Sequence, residues 1–272
     1  MKNVRRQPNP NSGSGAPGRV VASFRRNYHV RLDDGALLDC IALGRKLDVA
    51  CGDRVAVARD ESNRSGPPSS GVERGVINKI APRSSLLYRA DHFKQKTLAA
   101  NVTQVVFVLA AEPPFSDELL TRCLVAAESA QLKSLIVCNK ADLAQSEKTW
   151  QALSVYRTIG YRCLALSARQ DCSPLRVLLE NEASVLVGQS GMGKSTIINT
   201  LLPQSNAATR EISHALNSGK HTTTAAIWYT LNATSSIVDT PGLQSFGLAH
   251  LCVAELVAAF PEFRESAGHC RF

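Results

Sequence analysis

Apolar and polar positions along this chain follow two rhythms in succession. From Arg19 to about Arg83 the apolar runs are short. Those at 20–23, 28–32, 37–41, 54–57 and 75–80 read as β-strands of period two. Turn signals divide them, including Asp33-Asp34-Gly35 and Cys51-Gly52-Asp53. Five short strands in so small a span predict a barrel of the OB type, a fold that often binds RNA or single strands. The Ser-, Pro- and Gly-rich stretch 60–71 reads as a loop between strands, and 82–101 as a linker. Beyond it, strand-like runs at 105–109, 135–138, 163–166, 185–187, 225–228 and 235–239 follow one another. Helical patterns lie at 119–125, 150–156, 175–179 and 196–202 between them. That alternation predicts an α/β domain with a mostly parallel sheet. The expected division is a tail at 1–18, a barrel at 19–83, the α/β domain at 84–249 and a C-terminal segment at 250–272.

Composition sharpens this picture. A chain of 272 residues that is 44% hydrophobic can bury a core in each of about two domains. No run of 18 apolar residues occurs, so no membrane-crossing helix is expected. The first 18 residues carry Lys2, Arg5 and Arg6 among Asn, Pro, Ser and Gly. They read as a basic disordered tail and not as a secretory signal. Eight cysteines are scattered without a C-x-x-C pair, which fits reduced thiols in a cytoplasmic protein. Residues 1–100 hold 18 Lys and Arg against 9 Asp and Glu, whereas 101–272 hold 13 against 14. A basic first third points to a polyanionic partner such as RNA.

The candidate chemistry lies in the loops that follow the strands. Gly188-Gln189-Ser190-Gly191-Met192-Gly193-Lys194-Ser195, with Thr196 next, has the spacing and the strand–loop–helix context of a phosphate-binding loop. Its glycines let backbone N–H groups face phosphate oxygens at a helix N-terminus. Lys194 is expected on the β- and γ-phosphates and the Ser195 hydroxyl on Mg²⁺. Asn139-Lys140-Ala141-Asp142 follows the strand at 135–138. There Asp142 can accept both the N1–H and the exocyclic amine of guanine, a donor pair that adenine lacks. Asn139 and Lys140 would brace that loop and flank the base. Ser167 and Ala168 end the strand at 163–166 and would support the base through their backbone. Asp239-Thr240-Pro241-Gly242 ends the last strand. Asp239 is expected in the Mg²⁺ shell through water, and the Gly242 N–H at the γ-phosphate.

A segment reading Gly219-Lys220-His221-Thr222-Thr223-Thr224 precedes the strand at 225–228. Thr223, with Thr222 as the alternate, would ligate Mg²⁺ only when GTP is bound. Position 243 is Leu, where many GTPases carry a glutamine that orients the attacking water. His221 is the nearby candidate for that task. GTP or GDP with Mg²⁺ are the expected cofactors. The leucine keeps open a second reading, an RNA-binding adaptor with a passive, non-hydrolysing guanine-nucleotide site.

The motif order is itself informative, because the guanine-reading loop precedes the phosphate loop. With the barrel and the strings Pro82-Arg83-Ser84-Ser85-Leu86-Leu87-Tyr88-Arg89, Ala100-Asn101-Val102 and His221-Thr222-Thr223-Thr224, the chain resembles the circularly permuted GTPases of the RsgA (YjeQ) family. The resemblance runs from about Gly18 onward. It implies an OB-fold, a permuted GTPase domain and a C-terminal zinc-binding domain. It also implies an enzyme whose GTP hydrolysis is stimulated by the small ribosomal subunit and which acts late in that subunit's maturation; the basic barrel is expected to grip 16S-type rRNA, and nothing in the sequence demands more than a monomer. His221 then maps onto the family's proposed water-positioning histidine. Cys270 matches the first zinc ligand of the family, and the sequence stops two residues later. One cysteine cannot close a tetrahedral site, so residues 250–272 are expected to be only the start of that domain.

Overall fold

A computed structural model of the chain describes residues 15–24, 27–44, 47–59, 73–90, 95–202, 225–242 and 246–267. The expected loop at 60–71 and residues 1–14 of the expected tail lie outside these. The first five strands are β1 (Ala16–Phe24), β2 (Asn27–Leu32), β3 (Leu37–Ala42), β4 (Arg54–Arg59) and β5 (Glu73–Ile80). They pair in the order β1-β2-β3-β5-β4, and β4 returns to β1 to close a barrel. β1 begins at Ala16, so it draws residues 16–18 of the expected tail into the sheet. The inward positions Val20, Val30, Leu38, Val55 and Ile77 form the barrel's own core. β2 and β3 alternate buried with part-exposed residues over most of their length, as strands with one wet face must.

Residues 82–101 are not a linker. They form a hairpin of β6 (Leu86–Ala90) and β7 (Gln95–Ala100). The hairpin packs Leu87, Leu98 and Ala99 into the larger core, and Ala100 is buried as well. It also meets the barrel at the Cys51-Gly52-Asp53 turn, where the Ala100 N–H donates to the Cys51 carbonyl at 2.9 Å. The Asn101 Nδ2 donates to Gly52 O at 3.1 Å. Gly52 has φ +93°, and a Cβ there would stand 2.1 Å from the Ala100 carbonyl oxygen. Only glycine permits that approach. Asp53, fully buried, accepts Arg83 Nε at 2.7 Å, Arg83 Nη2 at 2.8 Å and the Ala50 N–H at 2.7 Å.

The α/β domain follows. Its elements in order are β8 (Gln104–Ala110), α1 (Asp117–Ser129), β9 (Lys133–Asn139), α2 (Ser146–Ala152), α3 (Ser154–Ile159), β10 (Arg162–Ala165), α4 (Ser173–Leu178), β11 (Ala183–Val187), α5 (Lys194–Leu201), β12 (Ala226–Thr230) and β13 (Ser236–Asp239). The single helix expected near 150–156 is two short helices parted at Leu153. Strands β10, β9, β8, β11 and β13 are parallel neighbours, and β12 joins antiparallel beyond β13. β8 is buried at all seven positions, the signature of a parallel strand covered on both faces. α1 begins at Ser116, whose Oγ accepts the Leu119 N–H at 3.2 Å, with Asp117 and Glu118 in its first turn.

β12 also pairs with β1 of the barrel, through Ala22↔Ile227 and Ser23↔Ala226. One eleven-stranded sheet therefore runs from β10 through to β4. The Arg19 guanidinium lies 4.4 Å from the Trp228 ring centroid at this junction. After β13 the chain crosses α1 with Phe246 buried, its carbonyl accepting Arg122 Nη1 at 3.4 Å. Two helices end the described chain, α6 (Val253–Ala258) and α7 (Pro261–Ala267). Arg264 pairs with Glu128 at the end of α1. Among the described residues no helix is long and apolar enough to cross a membrane.

Candidate active site

The loops at the carboxyl ends of β9, β10, β11 and β13 meet around one cleft of about 460 Å³. This is where ligands bind in a parallel sheet. Asn139, Lys140 and Asp142 line it from the loop after β9, and Ser167, Ala168 and Arg169 from the loop after β10. Ser190, Gly191, Gly193, Lys194, Ser195 and Thr196 line it from the loop after β11, and Thr240 and Gly242 from the end of β13.

The phosphate loop is shaped by its neighbours. A Cβ on Gly188 would stand 2.2 Å from the Val108 carbonyl oxygen of β8. Gly191 and Gly193 take φ of +82° and +94°, and a Cβ on Gly193 would stand 2.2 Å from Asn139 Nδ2. Met192 is buried, and its backbone is what the site uses. Asn139, only 2% exposed, donates through Nδ2 to the Met192 carbonyl at 2.9 Å and accepts the Ala168 N–H through Oδ1 at 3.0 Å. One amide thus ties the base-reading loop to the phosphate loop and to the Ser-Ala loop. Lys140, at φ +60°, donates to the Glu112 carbonyl.

Lys194 opens α5 and is buried. Its ammonium donates to the Gly188 carbonyl at 2.8 Å and the Gln189 carbonyl at 3.0 Å. Burial pulls its pKa below the ordinary lysine value, and the Asp239 carboxylate opposes that shift. Asp239 ends β13 at 5% exposure. Asp142 is exposed, and its carboxyl is held below its ordinary pKa first by the Ser167 hydroxyl and then by its own backbone N–H. Ser195 and Thr196 are exposed to the cleft. A hydroxyl and a carboxylate are hard oxygen donors, so Ser195 and Asp239 suit Mg²⁺.

Motif reading does not reach every residue of the cleft. Leu143 and Arg169 line its base side. Thr240 is fully buried and donates to the Leu186 carbonyl at 2.6 Å, fixing the end of β13 beside β11. Such bonds to main-chain carbonyls leave no spacing signal. His221, Thr222, Thr223, Leu243, Gln244 and Cys270 lie outside the described residues. Among those described, no group of three or more His, Cys, Asp or Glu could hold a metal.

A model of the RsgA GTPase family matches residues 80–249. The small ribosomal subunit biogenesis GTPase RsgA of Nitrosospira multiformis is 48% identical over 256 residues, covering 94% of this chain and 79% of the relative. That of Burkholderia pseudomallei is 45% identical, covering 98% and 83%. The crystal structure of YjeQ from Thermotoga maritima superposes with a TM-score of 0.62 at 25% identity over 91% of this chain and 82% of that one. YloQ, described as a circularly permuted GTPase, gives 0.60 at 24% identity over 98% and 85%, a likeness of fold. The permuted order of the loops, their convergence on one cleft and these matches agree, and the chain belongs to the RsgA GTPase family.

Proposed function

We propose that this GTPase acts in biogenesis of the small ribosomal subunit, and that its hydrolysis of GTP is Mg²⁺-dependent and stimulated by that subunit. The observation that carries the enzymatic reading is the pair of hydrogen bonds of Asn139, which joins its own loop to the phosphate loop and to the Ser-Ala loop in one site. The relatives' names motivate the ribosomal role. The basic first hundred residues suit contact with 16S-type rRNA phosphates. The scattered cysteines fit a reducing cytoplasm, where the chain is taken to act as a monomer.

In this reading Asp142 selects guanine, and Ser167 keeps its carboxylate ionised and oriented. Lys194 exchanges its two carbonyl partners for β- and γ-phosphate oxygens, neutralising charge that builds as the terminal phosphoryl leaves. Ser195, Asp239 and Thr223 would hold Mg²⁺, which supplies further charge neutralisation across the phosphates. His221 would position the attacking water in place of the side chain that Leu243 lacks.

GTP turnover alone and with purified small subunits tests this. Subunits are expected to raise turnover strongly. Lys194→Ala should lower it by about 10²–10³-fold, and EDTA should abolish it. Tight RNA binding with no stimulated turnover would favour the passive adaptor that Leu243 suggested.

A further inference from the structure

We infer that Thr200, a residue outside every nucleotide motif, is a positioning residue for guanine recognition, acting through the Ala168 carbonyl. The inference rests on reading the cleft as a guanine-nucleotide site. Ala168 is buried at the base end of the cleft. The peptide units on either side of it are pinned by different elements. Its N–H donates to Asn139 Oδ1 at 3.0 Å. Its C=O accepts the Thr200 hydroxyl of α5 at 3.1 Å and the Cys172 thiol at 3.8 Å, and the one Thr200 proton is shared with the Thr196 carbonyl of the same helix at 3.0 Å. A trans peptide is planar, so fixing a carbonyl fixes the N–H of the following residue, here Arg169. Two such restraints leave the 167–169 backbone one orientation in which to present its N–H groups.

Thr200 lies six residues after Lys194 on the same helix. The helix that carries the phosphate-binding lysine therefore also holds the base-supporting loop. α5 itself does not depend on that bond. Ile197, Ile198 and Leu201 anchor it in the core, and Arg176 Nη2 donates to the Leu201 carbonyl at 2.8 Å. Loss of the hydroxyl should untie the Ala168 carbonyl from α5, leaving it the weaker Cys172 thiol, and leave the helix in place. The loop's other internal bonds, from the Gln170 and Asp171 N–H groups to the Ser167 carbonyl, shape the turn without fixing it to α5.

Thr200→Val removes the hydroxyl and keeps the branched shape, whereas Thr200→Ser keeps the hydroxyl. With mant-GDP as probe, Thr200→Val is expected to weaken binding about three- to tenfold, the worth of one neutral hydrogen bond. KM for GTP should rise by the same factor with kcat within about twofold of wild type, and mant-ADP binding should not change. The preference for guanine over adenine would narrow accordingly, and Thr200→Ser should restore it. The inference is overturned if Thr200→Val binds mant-GDP within about twofold of wild type, or if Thr200→Ser behaves like Thr200→Val. A wild-type chain that binds mant-GDP no better than mant-ADP would instead overturn the guanine-site reading, and this inference with it.

Discussion

Gly193 shows how much of the site rests on single backbone positions. Its left-handed φ is costly for any side-chain-bearing residue, by about 1–2 kcal/mol, and a Cβ would collide with the amide that joins two loops. Gly193→Ala is therefore expected to weaken GDP binding more than about tenfold, measured by titration calorimetry. Asp142 predicts a pH dependence. In the proposed reading the charged carboxylate accepts the guanine donors, and its pKa is lowered. Affinity should be fully present above the ordinary carboxylate range and be lost only as pH falls through the lowered value. The ratio of GDP to ADP affinity, in which the titration of the shared diphosphate cancels, should stay flat from about pH 8 to about pH 5. A decline that begins above about pH 5.5 would show that the Ser167 bond does not hold the carboxyl ionised. The motif residues could be read from the sequence because their spacing reports their chemistry. The roles of Met192, Ala168 and Thr240 could not, because those residues act through, or upon, main-chain carbonyls and amides.

Among elements, the alternating barrel strands and the fully apolar central strands were legible, since burial on one face or two writes a distinct pattern. The β6–β7 hairpin was not. Its buried set, Leu87 with Leu98, Ala99 and Ala100, is short, and polar and charged residues surround it. The joint it makes with the barrel is testable at Arg83. Removing that guanidinium would leave the buried Asp53 carboxylate without its ion partner. Such a break costs about 3–5 kcal/mol when both groups are buried, and the part-exposed Arg83 side chain lowers the expectation to about 2–3 kcal/mol. Urea unfolding of Arg83→Met should show that loss. An unchanged midpoint would mean that the Ala50 N–H and solvent suffice for Asp53.

On the scale of the molecule, the permuted order places β12 and β13 last in the GTPase domain, with β12 beside β1. The strand that follows the His221–Thr224 segment in sequence is thus hydrogen-bonded to the barrel on one side and to the Asp239 strand on the other. Two domains were visible in the sequence. Their fusion into one sheet was not, because a two-residue register between strands two hundred positions apart leaves no local trace. It follows that the region matched by the family model is not a unit that can be cut free. A fragment of residues 80–249 would lose β1 and leave β12 as a raw sheet border. Ile227, Trp228 and Tyr229, buried in the whole protein, would flank unpaired backbone groups that template association with other copies. Size-exclusion chromatography of that fragment should show self-association at concentrations where the 272-residue chain elutes as a single sharp peak. The barrel, whatever else it grips, serves the catalytic domain as the chaperone of its last edge.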